Sequence, residues 1–567
     1  MNPEIRSKLD RICDILWSGG LSVPALFIEQ ISYLIYLKLL DEREAELEVK
    51  ARLLKGKGGN GKLLFPDQAS RYRWSNWRFK SGNDLRDFLR DEVFPYMASL
   101  LKEEPQVAIY FQDAKLEIDD AHVLKEVIDG LDSFHFTKLG PDVKGDIFEY
   151  LLQYLSRQPQ SDMGQFRTPR QIRVAMVEML DPDLGDSVFD PACGTAGFLI
   201  DALEHILAKY SSAPREVPIY GEEWLTDRGW TLAQAKKEIP NLQTYRKGPG
   251  EKVPDWELLE RSIYGIEVSR QMMRISMMNL VLHGIRNAHV KRANALSEVG
   301  GLSDEDLARR YKVVLSNPPF AGMLPTESIR KDLPTQSKKS ELLFLGLAME
   351  ALAPGGRCAI IVPEGALFGS TSAHIELRKK LVKEYELLAV VSLPAGTFKP
   401  YAGVKTSIII FRKPQASAEH SKEKGRRELE TREARGNGRV WFYELKNDGY
   451  DTEKITGGGR PETPERNEIP EMLRQWKAYK DSGFKKPPGP EAGALLAPGT
   501  AEAKCWWAQA RTIAENEFNL GAGLYKPQVG EKPPEEDAAE LIGKTLKLER
   551  EIAGNLEKLL KEVEATE

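Results

Sequence analysis

Hydrophobic positions change their period along the chain, and the change divides it. After Pro24, placed where a first helical residue is favoured, ALFIEQISYLIYLKLLDERE keeps an apolar face that ends at charge. DLRDFLRDEVFPYMASLLKEE and VLKEVIDGLDSF repeat the helical period, and no alternating strand stands out before about residue 155. These features predict an all-helical N-terminal domain over 1–155. From Asp186, short β-branched runs alternate with helix-length segments: SVFD, SIYGIEV, VKRANAL, YKVVLS, RCAIIVP and LLAVVSL. The rhythm is βαβ and the runs are apolar enough to be buried on both faces, which predicts an α/β domain over 156–450 with a doubly wound, mainly parallel sheet. TSIIIF (406–411) and RVWFYEL (439–445) are expected to pair as a hairpin at its edge. The connection between them is almost free of apolar residues and reads as solvated or disordered.

Beyond Leu445 the pattern dissolves into Gly, Pro and charge, so 451–530 is expected to be loop-rich. Amphipathic helix returns over 531–567, where Leu541, Leu548, Ile552 and Leu559 follow a coiled-coil spacing interrupted by Thr545 and Asn555. A helix with one apolar stripe needs a partner.

Composition narrows the class without naming it. The chain has 567 residues, 41% hydrophobic and 29% charged, which is ordinary for a globular protein of several domains. No apolar run approaches the roughly 18 to 20 residues that span a bilayer, and MNPEIRSKLDRIC has no apolar signal core; the expectation is a cytoplasmic protein with no membrane contact. Four scattered cysteines, with no CxxC pair and no zinc spacing, suit a reducing compartment and predict no metal site. A net charge of −5 argues against nucleic-acid binding through the whole surface, so any such contact must be local or shared with a partner. RYRWSNWRFK (71–80) alternates cations with aromatics as a nucleic-acid contact would, and equally as a surface loop anchored by Trp74 and Trp77 would.

Three constellations carry candidate chemistry. In FDPACGTAGFLI (189–200), Gly194 and Gly197 permit a tight turn between a strand and a helix N-terminus, with Asp190 before them. The pattern is not the GxGxxG of dinucleotide binding, and the acid ending the next β-like run is Glu267 in IYGIEV. One GTAG turn flanked by Asp190, with Glu267 placed for ribose hydroxyls, suits a phosphate-free ligand such as S-adenosylmethionine; either piece alone would read as a plain turn. In SNPPF, Pro318 and Pro319 cannot donate to a ladder, so they end a strand in a stiff loop at the sheet's carboxyl edge. The Asn317 side-chain oxygen and the Pro318 carbonyl are then two acceptors for one amino group, and Phe320 offers a flat apolar face; a plain strand-ending turn fits as well. In GQFRTPRQI (164–172), Thr168-Pro169 reads by itself as a helix N-cap with proline following.

Taken in order, these residues resemble the γ-class amino-methyltransferases of DNA, and more closely the methylation (M) subunit of type I restriction-modification systems. GQFRTPR resembles the family's methionine-binding segment, DPACGTAGFL its glycine motif, IYGIEV its ribose acid and NPPF its catalytic loop. The N-terminal ILWSGG with ISYLIYLKLLDERE, and the C-terminal WFYELKNDGYD, NEIPEMLRQW and EFNLGAGLYKP, are also similar to segments of those subunits. The resemblance implies a Rossmann-like S-adenosylmethionine-dependent methyltransferase sheet preceded by an all-helical domain and followed by a helical tail. It implies transfer of a methyl group to N6 of adenine in duplex DNA, with Asn317, Pro318, Pro319 and Phe320 catalytic. Gln165, Phe166, Arg167, Thr168, Pro169 and Arg170, with Asp190, Gly194, Thr195, Ala196, Gly197, Glu267 and Asn294, would hold the cofactor. It also implies a separate specificity (S) subunit, with two M per S, gripped by the C-terminal helix at 531–567, and a restriction (R) subunit in the full complex. The chain departs from the family at Arg167, where an aromatic is usual, at Ala196, where some members keep glycine, and at Asn294, where many have Asp; the segment at about 206–260 is longer than the usual link. Two rival readings are a protein N5-glutamine methyltransferase, which shares the NPP-aromatic loop, and a non-catalytic assembly subunit of a DNA-modifying complex.

Overall fold

The apolar runs become strands of a single nine-stranded sheet. The computed structural model describes residues 3–54, 65–136 (101 and 103 apart), 141–153, 168–210, 220–221, 244–245, 256–320 (286 and 288 apart), 322–399, 403–415, 438–454, 460–498, 500–530 and 538–564. Helices α1 (Pro3–Ser18), α2 (Pro24–Leu54), α3 (Ala121–Asp132) and α4 (Pro141–Gln153) lead the helical part. Asp120 caps α3 by accepting from the amides of His122 and Val123, two of the donors a helix start leaves unpaired. The sheet part then runs α5 (Arg170–Leu180), β1 (Val188–Asp190), α6 (Gly197–Tyr210), β2 (Ile263–Glu267), α7 (Arg270–Leu282), β3 (His289–Arg292), β4 (Tyr311–Ser316), α8 (Ser340–Ala351), β5 (Leu352–Pro363), α9 (Ser372–Glu384), β6 (Glu386–Ser392), β7 (Thr406–Arg412) and β8 (Arg439–Glu444). Helix α10 (Ile469–Asp481), strand β9 (Cys505–Gln509) and helix α11 (Ala538–Glu564) complete the chain.

Across the sheet the order is β9-β8-β6-β7-β5-β4-β1-β2-β3. β7 is antiparallel to both neighbours and β9 to β8; every other pairing is parallel. The order reverses between β1 and β4, which opens a crevice at their carboxyl ends, where open α/β sheets place ligands.

The expected hairpin of 406–411 with 439–445 does not form. β7 lies between β5 and β6, and β8 pairs in parallel with β6. Thr406–Phe411 is buried at every position, so the run belongs inside the sheet, covered on both faces, and not at an edge. The region 451–530 also holds more than loops. Its CWWAQ becomes β9, and α10 packs on α5, with Trp476 Nε1 donating to the Met179 carbonyl at 2.9 Å. The connection at 416–437 and most of the 206–260 segment lie outside the described residues.

One face of the sheet, including Val188, Ile263, Val313 and Leu315, shares its core with α5, α6, α7 and the whole N-terminal helical part. The other face, including Phe189, Ile266, Val314 and Ile360, packs under α8 and α9. A buried ion pair crosses from α7 to α2, where Arg274 Nη1 donates to Glu29 Oε1 at 2.6 Å, and Arg274 also donates to the carbonyls of Tyr110 and Gln112. Trp74 and Trp77 are buried, Arg73 pairs with Asp41 and Glu48, Arg78 with Asp132 and Arg71 with Glu92. The 71–80 stretch is therefore an anchored packing element whose arginines are already neutralised.

Candidate active site

The reversal of strand order brings the ends of β1 and β4 together, and with them residues from three of the predicted motifs. Asp190, closing β1, is 1% exposed; its Oδ1 accepts from the Ala192 amide at 3.0 Å and from Ser316 Oγ, the last residue of β4, at 2.8 Å. Burial pushes the Asp190 carboxyl up to about 7, and nearby Glu267 adds to the rise against the opposing hydrogen bonds from Ala192 and Ser316. Glu267, closing β2, accepts from the Gly194 amide through Oε2 at 3.0 Å and from the Ser269 amide through Oε1 at 2.8 Å. Ser269 in turn caps α7, its hydroxyl accepting from Met272.

The loop between β1 and α6 is bent by two left-handed residues, Gly194 (φ +53°) and Ala196 (φ +65°). Gly197 has a different reason to be small, since a Cβ there would stand 2.8 Å from Cζ of Arg173. That guanidinium is buried, donates to Asp201 Oδ2 at 2.6 Å and reaches the Thr168 carbonyl at 3.0 Å, so glycine lets the helix start press against the 168 segment. From α7, Asn279 Nδ2 donates to the Thr195 carbonyl at 2.9 Å and fixes the loop from below.

The NPPF loop leaves β4 at the same edge. Asn317 Nδ2 donates to Thr168 Oγ1 at 2.9 Å, across 149 residues of sequence. The Asn317 Oδ1 is buried and has no partner among the described residues, a costly arrangement for a polar atom unless something else supplies a donor. Thr168 is thus not the helix cap its sequence suggests: Pro169 occupies the cap position of α5, no side chain caps it, and the Thr168 hydroxyl serves Asn317. Pro318 is buried and Pro319 exposed. Phe320 stands half-buried with its ring meeting Phe398 edge-on, centroids 6.0 Å apart. Ser340, opening α8, ties the loop down: its hydroxyl donates to the Pro319 carbonyl at 3.2 Å and accepts from the Gly322 amide at 2.9 Å.

Not every predicted residue converges. Arg170 pairs with Glu204 at 3.0 Å on α6. Asn294 sits just past β3, beside the end of β2, and spends its Oδ1 on the Leu296 amide at 3.1 Å. Gln165, Phe166 and Arg167 lie outside the described residues. Asn279, Ser340 and Phe398 carried no motif signal, and Ser316, although it opens SNPPF, was given no role there; only contacts across the fold reveal what these four do. Beside Glu267, Val268 leaves an apolar side chain 62% exposed, a ready surface for a flat heterocycle.

A crevice at the switch point, a bent glycine loop, an acid on the next strand and a stiff NPPF loop define the class as a Rossmann-like, S-adenosylmethionine-dependent methyltransferase. The N-6 DNA methylase family model matches residues 140–246 and 250–533, and the HsdM N-terminal domain model matches 5–131. The chain belongs to the N-6 DNA methylase family and, within it, to the methylase subunits of type I restriction enzymes. It is 30% identical over 455 residues to the EcoEI methylase subunit of Escherichia coli, covering 78% of this chain and 77% of that one. With the StySJI methylase subunit of Salmonella typhimurium it shares 26% over 451 residues, covering 78% and 72%. Among solved structures, a chain from a study of complex assembly and conformational transition in a type I restriction-modification system covers 100% of this chain and 99% of its own at TM-score 0.63 and 26% identity. The fold is also that of a type I modification subunit assigned in Vibrio vulnificus YJ016, at TM-score 0.61 and 22% identity, covering 90% and 92%. Among the described residues no helix is long and apolar enough to cross a membrane.

Proposed function

We propose that the NPPF loop performs the N6-adenine methylation of this subunit, with Asn317, Pro318, Pro319 and Phe320 in direct charge of the base. The observation that carries the assignment is the buried Oδ1 of Asn317, unpartnered among the described residues, whose amide nitrogen is held from behind by Thr168. S-adenosylmethionine supplies an electrophilic methyl group on a sulfonium. The site suits it: Asp190 and the loop from Gly194 to Gly197 lie at the helix start, Glu267 would accept from ribose hydroxyls and Val268 would offer an apolar face to the adenine ring, while Asn294 joins by resemblance. Thr168 and Pro169 sit close by through Asn317, while Gln165, Phe166, Arg167 and Arg170 join the set by resemblance.

The adenine must leave the duplex to be reached, at a cost of a few kcal/mol that stacking on Phe320 helps offset. Its amino group would donate to Asn317 Oδ1 and to the Pro318 carbonyl. Two fixed acceptors would orient the nitrogen lone pair away from the ring plane and stabilise the positive charge that builds on nitrogen as the bond to the methyl carbon forms and the carbon–sulfur bond breaks; the sulfur would leave as a neutral thioether and the amino group would then lose one proton to solvent. Asn317→Ala is expected to abolish methyl transfer while leaving S-adenosylmethionine binding within about threefold, as read by tritiated transfer to DNA and calorimetric titration; retained methylation would sink the assignment. The same pair of assays separates the rivals, since methyl transfer to protein would favour a glutamine methyltransferase and absence of binding heat a scaffold.

The partners follow the family: double-stranded DNA, an S subunit shared by two M subunits, and an R subunit in the full complex, in the cytoplasm where the DNA is. The division that accompanies this reading is 1–155, 156–450, 451–530 and a partner-binding helix at 531–567. Helix α11 supports the last: Ile542, Leu546, Leu548, Ile552, Leu556 and Leu559 are each about half exposed or more, an apolar stripe that no described residue covers.

A further inference from the structure

Asp448 lies just beyond β8, in the NDGYD stretch, and is fully buried. β8 runs in the same direction as β4, so Asp448 emerges at the edge of the sheet that carries the NPPF loop. Its carboxylate takes a two-pronged grip from Arg460, with Nη1 donating to Oδ2 at 2.7 Å and Nη2 to Oδ1 at 2.5 Å. The remaining donors of Arg460 go to the carbonyls of Thr397 (3.1 Å), Tyr450 (2.9 Å) and Asp451 (3.1 Å), so all five N–H groups are used. A buried charge pair this fully satisfied sets geometry more than it adds stability.

Two arms reach from this pair to the two ends of the catalytic loop. In the first, Gln171 Nε2 donates to Asp448 Oδ2 at 3.1 Å. Gln171 lies in the first turn of α5, three residues beyond the Thr168 that holds the Asn317 amide. In the second, Arg460 holds the carbonyl of Thr397, and the next residue, Phe398, 2% exposed, meets the Phe320 ring edge-on. Asn317 and Phe320 must hold one base between them, by its amino group and by its ring face. We propose that Asp448, with Arg460, is a positioning residue for the catalytic loop, setting the separation of the Asn317 amide from the Phe320 ring through Gln171 and through Thr397. The inference rests on the reading of Asn317 to Phe320 as the catalytic loop.

The test uses the full chain assembled with its specificity subunit and a duplex carrying the methylated sequence. Gln171→Leu cuts one arm and leaves the charge pair intact. It is expected to lower kcat about tenfold, as a sub-ångström misplacement does. The KM for S-adenosylmethionine and the thermal midpoint should stay at wild-type values. Asp448→Asn is expected to lower kcat further and to reduce the fluorescence rise of a 2-aminopurine placed at the target adenine, while Arg460→Lys, which keeps the charge but loses the fork, should not restore it. Should Asp448→Asn fail to fold, Gln171→Leu decides. Wild-type kcat in Gln171→Leu, or a loss confined to KM or to thermal stability, overturns the proposal. Asn317→Ala runs beside it as control. If that variant still methylates DNA, the catalytic-loop reading falls; if it is dead while Gln171→Leu is fully active, the positioning inference alone falls.

Discussion

Asp190 is an acid whose surroundings favour its neutral form, because burial raises its carboxyl to about 7 from an ordinary 3.8. The sign follows from linkage. The neutral form suits the folded chain, so the stabilising contribution is complete below the unfolded value and is lost as pH rises through about 7. A cationic ligand beside the loop reverses the preference and drives the proton off. Titration with S-adenosylmethionine near pH 7 in buffers of different ionisation heat is therefore expected to show net proton release, and Asp190→Asn to remove that buffer dependence. The residue itself was legible in DPACGTAG. Its protonation was not, because it depends first on burial and then on Ser316 and Glu267, which come from other strands.

Helix α7 joins more of the molecule than its sequence announces. Its start is set by Ser269, which also donates its amide to Glu267; Asn279 on the same helix holds the glycine loop, and Arg274 binds Glu29 on α2. Both charges of the last pair are buried, with side chains 6% and 9% exposed. Arg274→Ala would strand Glu29, which among the described residues keeps side-chain donors from Tyr33 and Gln271 alone. A loss of about 3 kcal/mol is expected, read as a lower midpoint in urea with unchanged slope; a loss below about 1 kcal/mol would show that water reaches the pair. A helix-length segment was expected between IYGIEV and VKRANAL, but not which polar side chains turn inward, since Arg, Asn and Gln are ordinarily surface residues. β7 teaches the same lesson from the strand side. Its continuous apolar run could have been paired at an edge, and only packing on both faces gave it a central place.

For the molecule as a whole, the helical N-terminal part and the sheet share one apolar core, so they behave as one body, whereas α11 stands apart with its stripe uncovered. Truncation after residue 530 removes no described core residue. The shortened chain is expected to keep its thermal midpoint and S-adenosylmethionine affinity but to lose co-purification with the specificity subunit; retained assembly would place that interface elsewhere. Local chemistry, namely which runs are strands, where a loop must be tight, which acid ends β2 and where proline stops β4, was written in short stretches, because periodicity and backbone restriction act over a few residues. The pairing of Asn317 with Thr168, the Phe398 wall, the Asp448 clasp and the inward place of β7 needed the folded chain. Each joins segments far apart in sequence, and what selects them is burial and hydrogen-bond satisfaction, which exist only once the segments meet.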